Sequence, residues 1–135
     1  MITFVDTNVL LDIFLPDPKW GLKSKKSLEQ AFKQGSLIIN EIIYSELSPQ
    51  FSSKELLDTT LKTLSIRIVS IDLESAYKAG QIWKAYREAG GRRNHILADF
   101  LIGAHAENHA EQLMTRDRGF YKKYFSNFPI LYQTN

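Results

Sequence analysis

Four acidic residues stand in settings where a solvated surface acid is not expected. They follow short β-rich runs or interrupt apolar stretches, whereas most of the 15 Asp and Glu residues lie in amphipathic segments. In one shared cleft their carboxylates would repel, because two like charges about 4 Å apart cost about 4 kcal/mol at an effective dielectric near 20. A divalent cation removes that repulsion. The four residues are Asp6, Glu46, Asp99 and Asp117.

The ligand type indicates which cation and which reaction such a cluster would serve. Oxygen-only ligands select Mg²⁺ or Mn²⁺ over zinc, and Mg²⁺ commonly binds phosphate oxygens of its substrates. One ion would orient a water for in-line attack, and a second, about 3.5–4 Å away, would stabilise the leaving oxygen. The residues therefore indicate hydrolysis of a phosphodiester or a phosphate. For each acid alone, a helix cap or a buried hydrogen-bonded acid is the structural alternative.

The elements that must position these acids alternate between strands and helices. Short β-rich or apolar runs predict strands at 2–5, 37–39, 66–71, 113–114 and 130–131. Apolar residues at helical spacing predict helices at 9–14, 23–34, 40–48, 54–64, 72–89, 96–104 and 120–125. The helix at 96–104 is apolar except for Asp99, so we expect it to be buried on nearly all sides.

This alternation predicts an α/β fold of three layers, with a central, mainly parallel sheet flanked by helices. Catalytic residues gather beyond the carboxyl ends of parallel strands. Asp6 and Asp117 would emerge at such ends, and helices that follow other strands would bring Glu46 and Asp99 to the same rim. We expect residues 1–135 to form a single domain.

Composition narrows the possible functions. The chain has 135 residues, a net charge of +2 and no cysteine, which excludes disulfide frameworks, Cys-ligated zinc, iron–sulfur clusters and thiol catalysis. The apolar first sixteen residues lack a basic start and contain Asp6 and Asp12, unlike a signal peptide. No run approaches the ~18 apolar residues of a membrane span. We therefore expect a cytoplasmic protein without a membrane partner.

Four motifs contain the acids in order: FVDTNVLLD at 4–12, IIYSEL at 42–47, ILADFLIGAHA at 96–106 and LMTRDRGF at 113–120. In these motifs, and over nearly its whole length, the chain resembles PIN domains, most closely the small VapC-type toxins of toxin–antitoxin modules. The resemblance implies that Asp6, Glu46, Asp99 and Asp117 are the acidic quartet. It also implies that Asn8 and Thr115 are polar supports that orient ligands or metal-bound water.

Similar proteins are Mg²⁺- or Mn²⁺-dependent ribonucleases, usually homodimeric, that are inhibited by a cognate antitoxin lying across the active-site groove. The resemblance thus implies an RNA substrate, an antitoxin partner and a toxin's role for this chain. One departure concerns the second metal. Many relatives carry a further acid just after the fourth motif's Asp, where this chain has Arg118 and Gly119.

Other residues and other functions offer alternatives to this interpretation. His105 and His109 are one helical turn apart, but no third zinc ligand is apparent in the sequence. Several basic residues flank the third and fourth motifs and are candidates for RNA-backbone contacts. The alternative functions are a non-catalytic RNA- or protein-binding PIN-like module and a DNA-directed metal nuclease. The RNA-binding candidates are Arg92, Arg93, Arg116 and Arg118.

Overall fold

The structure, a computed structural model, describes residues 1–15, 17–91 and 96–131. These residues form a five-stranded sheet with helices on both faces, which confirms the predicted three-layer α/β architecture. The strands are β1 (Ile2–Val5), β2 (Ser36–Ile39), β3 (Ile66–Ile68), β4 (Gln112–Met114) and β5 (Ile130–Leu131). The helices are α1 (Thr7–Phe14), α2 (Gly21–Gln34), α3 (Glu41–Leu47), α4 (Lys54–Thr63), α5 (Leu73–Glu88), α6 (Leu97–His109) and α7 (Arg118–Tyr124).

The sheet is parallel throughout, in the order β3-β2-β1-β4-β5. Its central strand is β1, in which Thr3 pairs with Leu37 on one side and Gln112 on the other. The ladder continues one residue past β1, where the Asp6 N–H donates to the Met114 carbonyl at 2.9 Å. The first acid therefore emerges from the middle of the sheet, at the carboxyl ends of β1 and β4.

The third strand is shorter than the sequence predicted, because the chain leaves the sheet after Val69. The Val69 N–H still donates to the Ile39 carbonyl at 2.8 Å. Two residues later the Ile71 N–H donates to the Glu41 carboxylate at 2.7 Å instead of to a strand. Polar side chains cap the starts of several helices. At the start of α3, Asn40 Oδ1 accepts from the Ile43 N–H at 3.0 Å.

Helix α6 is less enclosed than its sequence predicted. Phe100, Ile102 and Ala104 are fully buried, but Ile96 just before the helix and Leu97 in its first turn are 60% and 39% exposed. Helix α6 packs on α5, and Phe100 packs against the rings of Phe120 and Tyr124 in α7. Asp99 therefore lies in a half-exposed turn.

Close packing explains the glycine in this helix. A Cβ at Gly103 would overlap the ring of Phe125, the residue that ends α7. Gly103 therefore lets α6 and the aromatic layer approach each other closely. Within the described ranges, none of the helices is both long and apolar enough to cross a membrane.

Candidate metal centre

Asp6 is the centre of a hydrogen-bonded group at the end of β1. It is 6% exposed and occupies the N-cap position of α1. Its Oδ1 accepts from the Thr7 N–H at 2.8 Å, and its Oδ2 accepts from the Thr115 hydroxyl at 2.7 Å. The amide of Asn8 lies 3.4 Å from both Asp6 Oδ2 and Thr115 Oγ1. Asn8 and Thr115, the predicted supports, thus contact the carboxylate of Asp6 directly.

Burial raises the pKa of Asp6 from 3.8 to about 6. Hydrogen bonds from Thr115 and Thr7 oppose this rise, while the negative charges of Glu46 and Asp99 add to it. The carboxylate thus lies in a site where its own negative charge is disfavoured by burial and by neighbouring acids. A bound cation would favour the ionised form.

Glu46 extends from α3 toward this group although its own side chain is exposed. The Thr7 hydroxyl donates to Glu46 Oε1 at 2.6 Å and joins the first turn of α1 to α3. Thr7 was missed by the sequence reasoning. The sequence did indicate this role, because a hydroxyl residue directly after an Asp that ends a strand can bond another carboxylate at the same rim.

Asp99 and Asp117 approach the group from helix starts. Asp99 Oδ2 accepts from the Ile96 N–H at 3.1 Å, so one oxygen stabilises the first turn of α6. Asp117 occupies the N-cap position of α7, yet its exposed side chain makes no capping hydrogen bond there. Its backbone N–H instead donates to the Thr115 hydroxyl at 2.9 Å. A helix-capping role therefore explains one carboxylate oxygen of Asp99. It does not explain the presence of an acid at Asp117.

Tyr121 lies within electrostatic range of three of the four acids and was also missed by the sequence reasoning. Burial raises the pKa of its phenol well above the usual value, as do the negative charges of Asp6, Asp99 and Asp117. Its hydroxyl also interacts with the Asp6 carboxylate. Asp6 in turn lies within electrostatic range of Glu46 and Asp99, so each of the other three predicted acids lies within electrostatic range of Asp6 or of Tyr121.

These residues fit a hard divalent cation. The gathered donors are carboxylate oxygens, the type that Mg²⁺ and Mn²⁺ prefer. The hydroxyl and amide groups of Thr7, Asn8 and Thr115 hold two of those carboxylates in place. Outer hydrogen bonds of this kind fix the orientation of metal ligands.

His105 and His109 belong to a second cluster of possible metal ligands. Its third member is Asp72, which the sequence did not reveal. Ligand atoms of these histidines and of Asp72 lie within 4.8 Å of one another. His109 Nε2 lies 2.7 Å from Asp72 Oδ1. The cluster lies toward the far end of α6 from Asp99, since ten helical residues span about 15 Å.

The hydrogen bonds of Asn40 argue against a metal at this cluster. Its Oδ1 is occupied by the Ile43 N–H, so its Nδ2 donates to His105 Nδ1 at 3.1 Å. The proton of the neutral imidazole must then be on Nε2, which is buried and has no hydrogen-bond partner within the described residues. Burial lowers the pKa of His105, which keeps the ring neutral. A protonated nitrogen is not a metal ligand, so this donor set does not fit zinc.

The predicted RNA-binding arginines fall into two groups. Arg92, Arg93 and the side chain of Arg118 lie outside the described residues. The Arg116 guanidinium donates from Nη2 to Asp12 Oδ1 at 2.8 Å, and Asp12 is 3% exposed. The Arg116 N–H donates to Asn8 Oδ1 at 3.1 Å. Arg116 therefore also has a structural role beside the acids.

The comparison with protein families gives one decisive result. The model of the PIN domain matches residues 3–126, which is nearly the whole chain and includes all four acids. The chain belongs to the PIN domain family. This confirms the family resemblance based on the four motifs.

Solved structures share the fold of this PIN domain at low sequence identity. VapBC2 from Rickettsia felis, bound to a DNA fragment from its promoter, matches with a TM-score of 0.74 and 21% identity, covering 99% of this chain and 100% of that one. VapBC-1 from nontypeable Haemophilus influenzae matches with a TM-score of 0.70 and 17% identity, covering 96% of each chain. FitAB bound to a DNA fragment matches with a TM-score of 0.71 and 22% identity, covering 98% of this chain and 94% of that one. The comparison with curated proteins gave no match.

Proposed function

We propose that this PIN domain is a metal-dependent endoribonuclease that hydrolyses RNA phosphodiester bonds with Mg²⁺ or Mn²⁺. Asp6, Glu46, Asp99 and Asp117 would hold the cation. The observation that carries the proposal is the buried carboxylate of Asp6, whose pKa is raised to about 6 by burial and by the neighbouring acids. Self-repelling carboxylates destabilise a purely structural cleft, whereas a cation site needs them.

Each polar side chain of the site then has a defined task. A cation held by these acids would supply positive charge at the phosphodiester and would favour orientation of the attacking water. Thr115 and Asn8 hold Asp6 Oδ2, and Thr7 holds Glu46 Oε1. Thr115 also fixes the backbone of Asp117. These bonds reduce the motion of the acids before substrate binds, which favours in-line attack.

We further propose that the enzyme is the toxin of a toxin–antitoxin pair. It would be a cytoplasmic homodimer inhibited by a cognate antitoxin. The support is the similarity in fold to the VapBC2 and FitAB chains and to a toxin–antitoxin complex from Klebsiella pneumoniae, at 22% identity and a TM-score of 0.64. Coexpression with the neighbouring reading frame tests this part, since a cognate antitoxin would copurify and suppress the nuclease.

The test of the activity is cleavage of a mixed RNA pool by the purified protein with Mn²⁺ or Mg²⁺. We expect cleavage that stops with EDTA and in the Asp99→Asn variant. The matched control is Asp58→Asn, which removes one surface carboxylate on α4 that bonds Lys54 and Tyr44. Asp58→Asn should retain wild-type cleavage.

The other outcomes distinguish the alternatives. Cleavage that survives Asp99→Asn would contradict the assignment of Asp99. Absence of cleavage with the fold intact would favour a binding module, and preferential cleavage of a DNA strand of the same sequence would favour a DNA-directed nuclease.

A further inference from the structure

A cluster of three basic side chains surrounds the indole of Trp20, at the start of α2. The Lys19 ammonium lies 4.9 Å from the ring centroid, and the Lys23 ammonium lies 5.6 Å from it. The Arg116 guanidinium lies 5.1 Å from the same centroid. We call Lys19, Lys23, Arg116 and Trp20 the Trp20 cluster.

Local hydrogen bonds fix the position of the cluster. Asp17 Oδ1 accepts from the backbone N–H groups of Lys19 and Trp20, both at 2.8 Å. The Trp20 carbonyl then accepts from the Ser24 N–H at 2.8 Å, and the Ser24 hydroxyl donates to Asp12 at 2.8 Å. The indole is therefore held at a defined place on the start of α2.

Neither lysine of this cluster has a carboxylate within 4.0 Å in the described part of the chain, whereas Arg116 is paired with buried Asp12. The Asp17 carboxylate lies within electrostatic range of Lys19 and Arg116 and offsets part of their charge. Cation–π contact with the indole offsets some of the mutual repulsion of the lysines. An anion bound between them would remove more of it.

The Trp20 cluster adjoins the carboxylates through Arg116. The Arg116 N–H donates to Asn8 Oδ1, and the Asn8 amide lies 3.4 Å from Asp6 Oδ2. Arg116 also lies between Thr115 and Asp117 in sequence. The Trp20 cluster is therefore joined to the group around Asp6 through Arg116 and Asn8.

We propose that Lys19 and Lys23 bind backbone phosphates of the RNA strand next to the phosphodiester held at the carboxylates. This inference rests on the proposed function. Phosphates are favoured over bases because the cations lie over the indole and the ring is partly buried. Ammonium groups bind phosphate as point charges, without reading sequence.

The test is binding of a short fluorescent single-stranded RNA, followed by anisotropy over a range of KCl concentrations. All proteins carry Asp99→Asn, and gels check that the RNA stays intact. The test variant adds Lys19→Gln and Lys23→Gln. The matched control adds Lys25→Gln and Lys26→Gln, an equal charge change at exposed positions of the same helix.

We expect the Lys19/Lys23 variant to bind more weakly and to flatten the slope of log K against log salt by about 1.4, since each phosphate contact on a single strand contributes about 0.7. The Lys25/Lys26 variant should retain a slope close to that of the parent. Equal effects of the two pairs, or no RNA binding by the parent, would overturn the inference. A selective loss in the Lys19/Lys23 variant together with an inactive wild-type enzyme would support the inference and refute the proposed nuclease.

Discussion

Replacing Asp6 by Asn should stabilise the metal-free protein above pH 6. The folded state raises the pKa of Asp6 from its ordinary value of 3.8 to about 6, chiefly through burial. The folded state therefore binds this proton more tightly than the unfolded chain does. The free energy of unfolding must then fall as pH rises from about 4 to about 6, and the loss is complete above that range.

The size of the effect follows from the two pKa values. Their difference, at about 1.36 kcal/mol per pH unit, corresponds to about 3 kcal/mol at pH 7.5. Asparagine keeps an oxygen for the Thr7 N–H and removes the charge, but its NH2 group cannot accept from the Thr115 hydroxyl, so only part of this penalty should disappear. For a chain of this length, about 3 kcal/mol sets an upper limit of about 10 °C on the rise in Tm.

The assay is thermal unfolding of wild type and Asp6→Asn in EDTA at a series of pH values between 4 and 8. The difference in Tm between the two proteins at each pH isolates the contribution of Asp6 from that of the other titrating groups. Added Mn²⁺ should then stabilise wild type and leave Asp6→Asn unchanged. Parallel pH curves in EDTA would refute the argument that the acid site is repulsive without metal.

Three further substitutions test two residues that support the site and the close packing of α6. Thr7→Val should lower metal affinity by about 10-fold to 100-fold, measured as the Mn²⁺ concentration for half-maximal cleavage, and Thr7→Ser should restore it. Arg116→Met should lower the free energy of unfolding by about 3 kcal/mol, measured in urea titrations, because it leaves the buried charge of Asp12 unpaired. Adding Asp12→Asn should recover most of that loss. Gly103→Ala should cost about 1–3 kcal/mol through overlap with the Phe125 ring, and a variant as stable as wild type would contradict that packing.

Much of the fold could be predicted from the sequence because local signals and burial agree. Apolar runs such as 37–39 mark strands that are covered on both faces, and Asn40 marks the start of the next helix. The end of β3 could not be predicted, because the Ile71 N–H is taken by Glu41, thirty residues away in the chain. The exposure of Ile96 and Leu97 depends on which distant segments cover the start of α6, and no local sequence pattern contains that information.

The four acids of the candidate site were singled out from the sequence, whereas only some of the residues that contact them were. Asp6 and Asp117 follow strands, so their placement at one rim follows from a parallel sheet. The roles of Tyr121 and Asp72 depend on pairs of atoms from distant segments. Such pairs leave no spacing signal, because the distance between two helices is set by tertiary packing.

The central claim is that the four acids hold the catalytic cation, and the position of bound Mn²⁺ tests it most directly. A crystal of the protein soaked in Mn²⁺ would show the ion by its anomalous scattering. We expect the peak within coordination distance of the Asp6 carboxylate, with further carboxylate oxygens from the other three acids around it. A peak at Asp72, His105 and His109 instead, or no peak among the four acids at a saturating concentration, would contradict the claim.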